Sequence, residues 1–560
     1  MLKVYAAGMI SYPMDIKENF IRAKREVSFA IEKGADLVVF PEGFLSGVQL
    51  GVLKNAPYFH KQYNDFSRQL CEDFARSDIG ILADFITTHG FENIFYKSGT
   101  ALNGENFSLG GFALRSFNSL EELKQNAYTL NCEGVILNYS QPVLAGERSL
   151  LFDFLNAINS NTSVDIFLNL GGLGFTSHPH VFLPCGGIFS KAVTRMSTTL
   201  PEFVTMDRIF LMEKPTHLLK NNPYLLPELT FKPAFNQNPL LPKEVDEEVY
   251  CLDLFHLQGV ALSSRLANIG CKTAVVALSG GLDSALALLV TLNAFDILGM
   301  DKSGIKPVSM PGFGTSHTTK NLAEELALAS QLEYRVIDIT ACAHRALIDI
   351  GHDGFTPDVT YENVQARMRT LNALNLANSL GGIMVGTGDL SEEALGFSTY
   401  GGDHLASYNV NSSLSKTIIR TMLPYVVKLP QFAPFAQVID KILNIPVSPE
   451  LVPHGGEILQ KTEEILAPYK LIDFFIYCFV IAKLSPIEMA QRASCVFEGE
   501  FSSEYLRQKA QMFCRRFIQG QFKRSSSPEG AALTHLSLNT EDKSLPSDCK
   551  MGVFNYYFGE

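Results

Sequence analysis

The sequence predicts two α/β domains joined by a linker, the second built on a doubly wound parallel sheet. A length of 560 residues exceeds what one hydrophobic core sustains. Short apolar runs alternate with amphipathic helical spacing in both halves, the pattern of layered α/β structure. Residues 200–245 are dense in Pro and Asn (Pro215, Asn221-Asn-Pro223, Asn236-Gln-Asn-Pro239), which reads as extended linker. The domains are therefore set at 1–240 and 245–560.

In the first domain, Val4 to Met9 reads as a strand. Ile16 to Lys33 has helical spacing, with Phe20, Ala23, Val27 and Ala30 on one face. Leu37-Val-Val-Phe-Pro-Glu-Gly43 is a buried strand ending in a carboxylate, Glu42. A helix over Tyr63 to Ser77 and a strand over Ile79 to Phe85 follow. Further strands are expected at Ser108 to Arg115, Tyr128 to Tyr139 and Val164 to Leu170.

The second domain opens with a helical run, Cys251 to Leu266, and is organised around Ala274-Val-Val-Ala-Leu-Ser-Gly-Gly-Leu-Asp-Ser-Ala285. A strand of small and β-branched residues turns through Ser279-Gly280-Gly281 into a strong helix former. Several backbone N–H groups then point at one spot in the positive field of a helix N-terminus, which makes an anion cradle. Ser279 and Ser284 add hydroxyl donors. Asp283 would repel a phosphate unless a cation intervened, so it is a candidate Mg²⁺ ligand. The plain alternative, a tight turn with a capped helix, suits a lone Gly-Gly better than Ser-Gly-Gly-x-Asp-Ser.

Downstream the pattern repeats. Gly304 to Met310 is a strand, Pro311-Gly-Phe-Gly-Thr-Ser316 a turn, Thr319 to Leu332 a helix and Tyr334 to Ile339 a strand, so ligands should bind where the strands end. A long helix opening at Thr360 carries Glu362, Asn363, Arg367 and Arg369, which on any helix could equally be a solvated charged face. Gly382 to Thr387 is a strand ending in a polar loop that supplies Thr387 and Glu392. Glu392 could share the cation with Asp283, and Lys416 offers a positive charge near the phosphates.

Composition excludes several classes. The formal charge of −12 argues against a nucleic-acid binder. Ten scattered cysteines without a Cys-x-x-Cys pair indicate neither zinc nor a disulfide framework, and free thiols suggest the cytoplasm. The N-terminus lacks a signal-peptide layout. Phe474 to Leu484 is too short to span a bilayer and reads as a buried helix, so no membrane partner is expected. Residues 525 to 548 are polar and turn-rich. With Lys523 and Arg524 before them, they are expected to be a flexible lid or a disordered tail.

The Ser279 to Ser284 loop resembles that of the N-type ATP pyrophosphatases, which adenylate their substrates. Pro311-Gly-Phe-Gly-Thr-Ser, Thr360-Tyr-Glu-Asn-Val-Gln-Ala-Arg, Gly386-Thr-Gly-Asp-Leu-Ser-Glu, Tyr408-Asn-Val-Asn411, Ser448-Pro-Glu-Leu-Val-Pro453 and Gln521-Phe-Lys-Arg-Ser525 are similar, in order and spacing, to the synthetase domain of large glutamine-dependent NAD synthetases. That resemblance implies that Ala277, Leu278, Ser279, Gly280, Gly281, Leu282, Asp283, Ser284, Thr387 and Lys416 bind ATP. It implies Mg²⁺ on Asp283 and Glu392. It places Asn363, Arg367, Glu392, Phe397, Ser398, Thr399, Tyr400 and Lys523 against deamido-NAD, and it implies a homo-oligomer.

Gly34-Ala-Asp-Leu-Val-Val-Phe-Pro-Glu42 resembles the first signature of nitrilase-like carbon–nitrogen hydrolases, which implies a four-layer α-β-β-α sandwich with a Glu-Lys-Cys triad. Glu42 matches the Glu position. The positions of Lys and Cys are taken by Leu114 and Asn138. The thiol chemistry is therefore expected to be lost. Cys132-Glu133 in another register, with Lys97 or Arg115 as cation, is the alternative. Cys71-Glu-Asp73 matches in letters but lies on a helix. The expected activity is ATP-dependent amidation of deamido-NAD to NAD through an acyl-adenylate, with ammonia rather than glutamine as nitrogen donor. A GMP-synthetase-like amidase and a nucleotide-binding regulatory protein are the other readings.

Overall fold

The computed structural model describes the chain except residues 8–10, 13, 49, 51–52, 54, 141–143, 163, 171–184, 190–193, 199–208, 213–234, 446–465, 539–544, 546 and 548–560. Met1–Val143 with Glu147–Thr230 form one compact unit, and Leu144–Gly146 with Phe231–Glu560 the other.

The first unit holds two six-stranded sheets. Its strands are β1 (Leu2–Ala6), β2 (Leu37–Val39), β3 (Gly80–Thr87), β4 (Gly90–Lys97), β5 (Thr100–Asn103), β6 (Asn106–Leu109), β7 (Phe112–Phe117), β8 (Gly134–Tyr139), β9 (Asp165–Leu170), β10 (Cys185–Phe189), β11 (Thr194–Thr198) and β12 (Ile209–Met212). The orders are β12-β1-β2-β3-β4-β5 and β11-β10-β9-β8-β7-β6. Strand periodicity sorts side chains between layers. Leu2, Val4 and Ala6 of β1 join Leu114, Ile136 and Phe167 of the other sheet in a central core. Tyr5 faces outward to the core beneath the helices Ile16–Glu32 and Pro57–Asp73. The helices Leu120–Asn126 and Glu147–Thr162 flank the second sheet, whose outer core includes Leu123, Phe154 and Leu155. The result is an α-β-β-α sandwich.

Two expectations change here. Ile209–Met212 lies in the stretch read as linker, but it pairs antiparallel with β1 because its apolar quartet completes that sheet's edge. Residues 200–208 and 213–234 of that stretch lie outside the described residues, as do Met9 and the Ser448–Pro453 motif. Tyr128 falls in a helical turn, and the strand begins only at Gly134.

In the second unit, β13 (Ala274–Ala277), β14 (Ile305–Ser309), β15 (Arg335–Val336), β16 (Ile383–Gly386) and β17 (Tyr408–Asn409) form a wholly parallel sheet of order β15-β14-β13-β16-β17. The strand order reverses between β13 and β16, which is where such sheets bind ligands. The helix after β13, Leu282–Leu298, buries twelve of its seventeen side chains, spread over most of its circumference, so it reads as largely apolar all round. Phe474 belongs to the buried helix Tyr469–Ile476, continued by a π-turn over Tyr477–Ile481. Among the described residues no helix is long and apolar enough to cross a membrane.

The expected lid is pinned where it is described. The Glu529 carbonyl accepts the Asn409 N–H at 2.7 Å, and the Glu529 carboxylate pairs with Arg265 at 2.9 Å. Ala531, Ala532, Leu533, Leu536 and Leu538 are buried. Their apolar side chains anchor a stretch that the neighbouring Ser and Gly residues disguise as coil.

Candidate active site

The loop after β13 is shaped by its own groups. Gly280 has φ +81°, and a Cβ there would stand 2.3 Å from the Thr319 carbonyl oxygen, so the position requires glycine. The Ser284 hydroxyl donates to the Gly281 carbonyl at 3.0 Å and accepts from the Ser279 N–H at 3.2 Å. The Gly281 N–H donates to Ser279 Oγ at 3.3 Å. The sequence assigns both hydroxyls to a bound anion. In the structure both hydroxyls also fasten the turn itself.

The second loop comes alongside. Asn411, fully buried, donates its carboxamide to the Asp283 carbonyl at 3.0 Å and to the Thr387 carbonyl at 3.1 Å. Asp389 caps the helix Leu390–Leu395, its Oδ1 accepting the N–H groups of Ser391 and Glu392. Between the loops lies the ammonium of Lys416, fully buried. It is 2.8 Å from Asp283 Oδ2, 2.5 Å from Asp389 Oδ2 and 3.0 Å from Glu392 Oε1.

The sequence pattern places Lys416 beside phosphate. The structure sets its charge against three carboxylates, 2.5–3.0 Å away. Burial opposes the ammonium, but the three anions outweigh it and hold Lys416 protonated well above the usual lysine range. Burial pushes the Asp283 carboxyl up to about 6. Burial and the neighbouring Asp389 raise Glu392 well above the carboxylate range.

One ammonium does not balance three carboxylates. Oxygens of Asp283, Asp389 and Glu392 lie within 4.8 Å of one another, and Asp283 Oδ1 is buried with no hydrogen-bond partner. That orphaned oxygen in a hard-oxygen set fits a divalent cation such as Mg²⁺. The sequence does not reveal Asp389 as a member, because its position reads fully as a helix cap.

A cavity of about 330 Å³ opens here. Ala277, Leu278, Ser279, Gly280, Gly281, Leu282, Asp283, Thr387, Glu392, Phe397 and Lys416 line it, as do Met310, Lys320, Arg369, Met384, Ile442 and Ile445, which the sequence pattern does not assign to the site. Met310 immediately follows β14, so the strand-end rule points to it.

Ser284, Asn363, Arg367, Ser398, Thr399, Tyr400 and Lys523 are not among the lining residues. Most of them gather elsewhere. Arg367 Nε donates to the Tyr400 carbonyl at 3.1 Å, and Thr399 Oγ1 donates to Asn363 Oδ1 at 2.8 Å. The Lys523 ammonium donates to the carbonyls of Gly396 and Ser398 at 2.7 and 2.6 Å. Arg524 donates to the Ala394 carbonyl at 3.1 Å. Both basic residues thus satisfy carbonyls at the C-terminal end of the Glu392 helix.

In the first unit, Glu42 Oε2 accepts the Ser140 N–H at 2.7 Å, and burial raises its carboxyl to about 7. Asp84, buried nearby, is raised by burial to about 7 and accepts the Tyr63 hydroxyl at 2.5 Å. Leu114 is buried on β7. Asn138 on β8 donates its carboxamide to Asn93 Oδ1 at 3.2 Å. Cys132 packs among apolar side chains, and burial pushes its thiol up to about 11. Lys97 pairs with Asp78, and Arg115 donates to Asn126 Oδ1. Among the described residues no thiol or ammonium bonds to Glu42.

A glycine-serine loop and an acidic second loop thus meet at the switch point of the doubly wound sheet, in a chain whose other unit is an α-β-β-α sandwich. Residues 258–525 match the NAD synthase family model. The glutamine-dependent NAD(+) synthetase of Mycobacterium bovis is 35% identical over 320 aligned residues, 53% of this chain and 47% of that protein. The chain thus spans about half the length of the curated relatives it matches. A glutamine-dependent NAD(+) synthetase from Cytophaga hutchinsonii shares the fold over both full chains, with TM-score 0.75 and 12% identity. That from Acinetobacter baumannii, in complex with ADP, gives TM-score 0.62 at 18% identity over 94% of each chain. This chain is thus similar to glutamine-dependent NAD(+) synthetases.

Proposed function

We propose that the chain is an NAD(+) synthetase that amidates deamido-NAD at the expense of ATP and takes its nitrogen from ammonia. The observation that carries the reading is the anion loop beside the Asp283–Asp389–Glu392 cluster, in the segment that matches the NAD synthase family. The nicotinate carboxylate attacks the α-phosphorus of ATP, the bond to pyrophosphate breaks, and an acyl-adenylate forms. Ammonia then attacks the acyl carbon, AMP leaves, and a proton is lost.

Backbone N–H groups of the turn other than those of Ser279 and Gly281, which bond within it, take up charge developing on the leaving pyrophosphate. Mg²⁺ on Asp283, Asp389 and Glu392 would neutralise phosphate charge there. The apolar Met310, Met384 and Ile442 exclude water, which competes with ammonia for the adenylate. Asn363, Arg367 and the Ser398 to Tyr400 segment are assigned to the deamido-NAD side, with Lys523 holding that segment in place.

Support for ammonia as the donor comes from the first unit. Asn138 cannot form the thioester that glutamine hydrolysis requires, and among the described residues no thiol bonds to Glu42 for it to activate. The buried, high-pKa Cys132 thiol is a poor nucleophile. The purified chain should form NAD with ammonium chloride and ATP/Mg²⁺, and should release no glutamate from glutamine. Glutamine-driven NAD formation lost in Cys132→Ala would overturn the nitrogen assignment alone. The absence of NAD formation with ammonium would overturn the whole reading.

A further inference from the structure

Asp473 is a buried carboxylate that pairs with no cation among the described residues. Its Oδ1 accepts the Ser391 hydroxyl at 2.5 Å, and its Oδ2 accepts the Thr417 N–H at 3.1 Å and the Thr417 hydroxyl. Ser391 Oγ in turn accepts the Lys416 N–H at 2.9 Å. Ser391 immediately precedes Glu392, and Thr417 immediately follows Lys416. One carboxylate therefore grips the chain beside two charged residues of the phosphate site, which lie on different helices. Tyr469, one turn earlier on the same helix, brings its ring centroid to 5.3 Å from Lys416 Nζ. The helix Tyr469–Ile476 thus meets the Lys416 side chain with one residue and the N–H of the following Thr417 with another.

A buried charge is a costly way to fill space. An apolar residue of similar volume commonly stabilises a fold as well or better. What a carboxylate adds is direction, since it accepts several donors at fixed angles. We propose that Asp473 is a positioning residue that sets the placement of Glu392 and Lys416 at the phosphate site without touching a ligand. The inference rests on the functional reading above.

The test uses the full chain with Asp473→Asn and, separately, with Ser391→Ala plus Thr417→Val, which remove the hydroxyl arms together with the Ser391 acceptor of the Lys416 N–H. Turnover with ATP and ammonium should fall roughly 10–100-fold in each, as for groups that orient ligands from behind, with KM for ATP near its wild-type value. Adding Asp473→Asn to the hydroxyl variants should cost little more, because the three groups act as one unit. Mn²⁺ titration by paramagnetic resonance, which needs no turnover, should show weakened affinity in the same variants. Wild-type turnover and Mn²⁺ affinity in the folded variants, or fully additive losses, would overturn the assignment. If Asp473→Asn does not fold, the hydroxyl variants decide by the same criteria. A wild-type chain that binds Mn²⁺ but makes no NAD would sink the functional reading alone, and the Mn²⁺ affinities would still judge Asp473.

Discussion

Lys416 is the residue on which the site's electrostatics turn. Its buried ammonium meets three carboxylates at the wall of the cavity, where screening is weaker than in bulk water and each lost partner leaves an uncompensated charge. Replacing it by methionine keeps the volume and removes the only cation that pairs with them among the described residues. Lys416→Met should cost about 3–5 kcal/mol of stability, the range for breaking a buried ion pair from one side. Urea unfolding at pH 8 measures this, and wild-type stability would show that the carboxylates do not depend on the ammonium. The sequence exposed Asp283 and Glu392 as site residues because each follows a strand within a glycine- or serine-marked loop. It hid Asp473, which lies 82 residues from Ser391 and 56 from Thr417 on a helix whose neighbours are almost all apolar. No local pattern encodes a partner that distant.

Among elements, the β13 turn separates two adjacent glycines with different duties. Gly280 needs positive φ and passes within van der Waals reach of the Thr319 backbone. Gly281 has φ −98°, and a Cβ there would meet only Ser279 Oγ, at 3.3 Å. Gly280→Ala should therefore push the turn and the helix His317–Ser330 apart at a cost of roughly 1–3 kcal/mol, with nucleotide affinity falling accordingly. Gly281→Ala should stay close to wild type. Calorimetric titration with a non-hydrolysable ATP analogue compares them, and equal affinities would remove the close approach as the reason for Gly280. The parallel strands around this turn were legible because each is a short, continuous apolar run. β4 and β5 were not, since Glu92, Asn93 and the half-polar Thr100–Asn103 break the alternation. β15 is confined to Arg335–Val336 of the six residues expected, because β14 ends at Ser309, and beyond it only the N–H groups of Ile337 and Ile339 still reach the carbonyls of Ser309 and Pro311.

At the scale of the whole molecule, the two units respond to different variables. Glu42 and Asp84 titrate near 7 in the folded first unit, against ordinary carboxyl values of 4.5 and 3.8 when unfolded. The folded unit therefore binds protons more tightly than the unfolded chain. This stability is fully present below about pH 4 and is lost as pH rises to about 7. The first unit should unfold at lower urea at pH 8 than at pH 5. Glu42→Gln should flatten that slope by on the order of 3 kcal/mol. An unchanged slope in the variant would mean that Glu42 is not the proton holder. The second unit has a different vulnerability, the outer rim of its sheet. β17 is the last strand on that side, and a terminal strand offers unpaired main-chain groups to any passing chain. Here the main chain at Glu529 takes the Asn409 N–H, and Ala531 takes the Ser413 hydroxyl. The polar tail that looked like loose coil thus works as a hem, finishing the sheet with the protein's own thread so that a neighbouring molecule finds no place to stitch on.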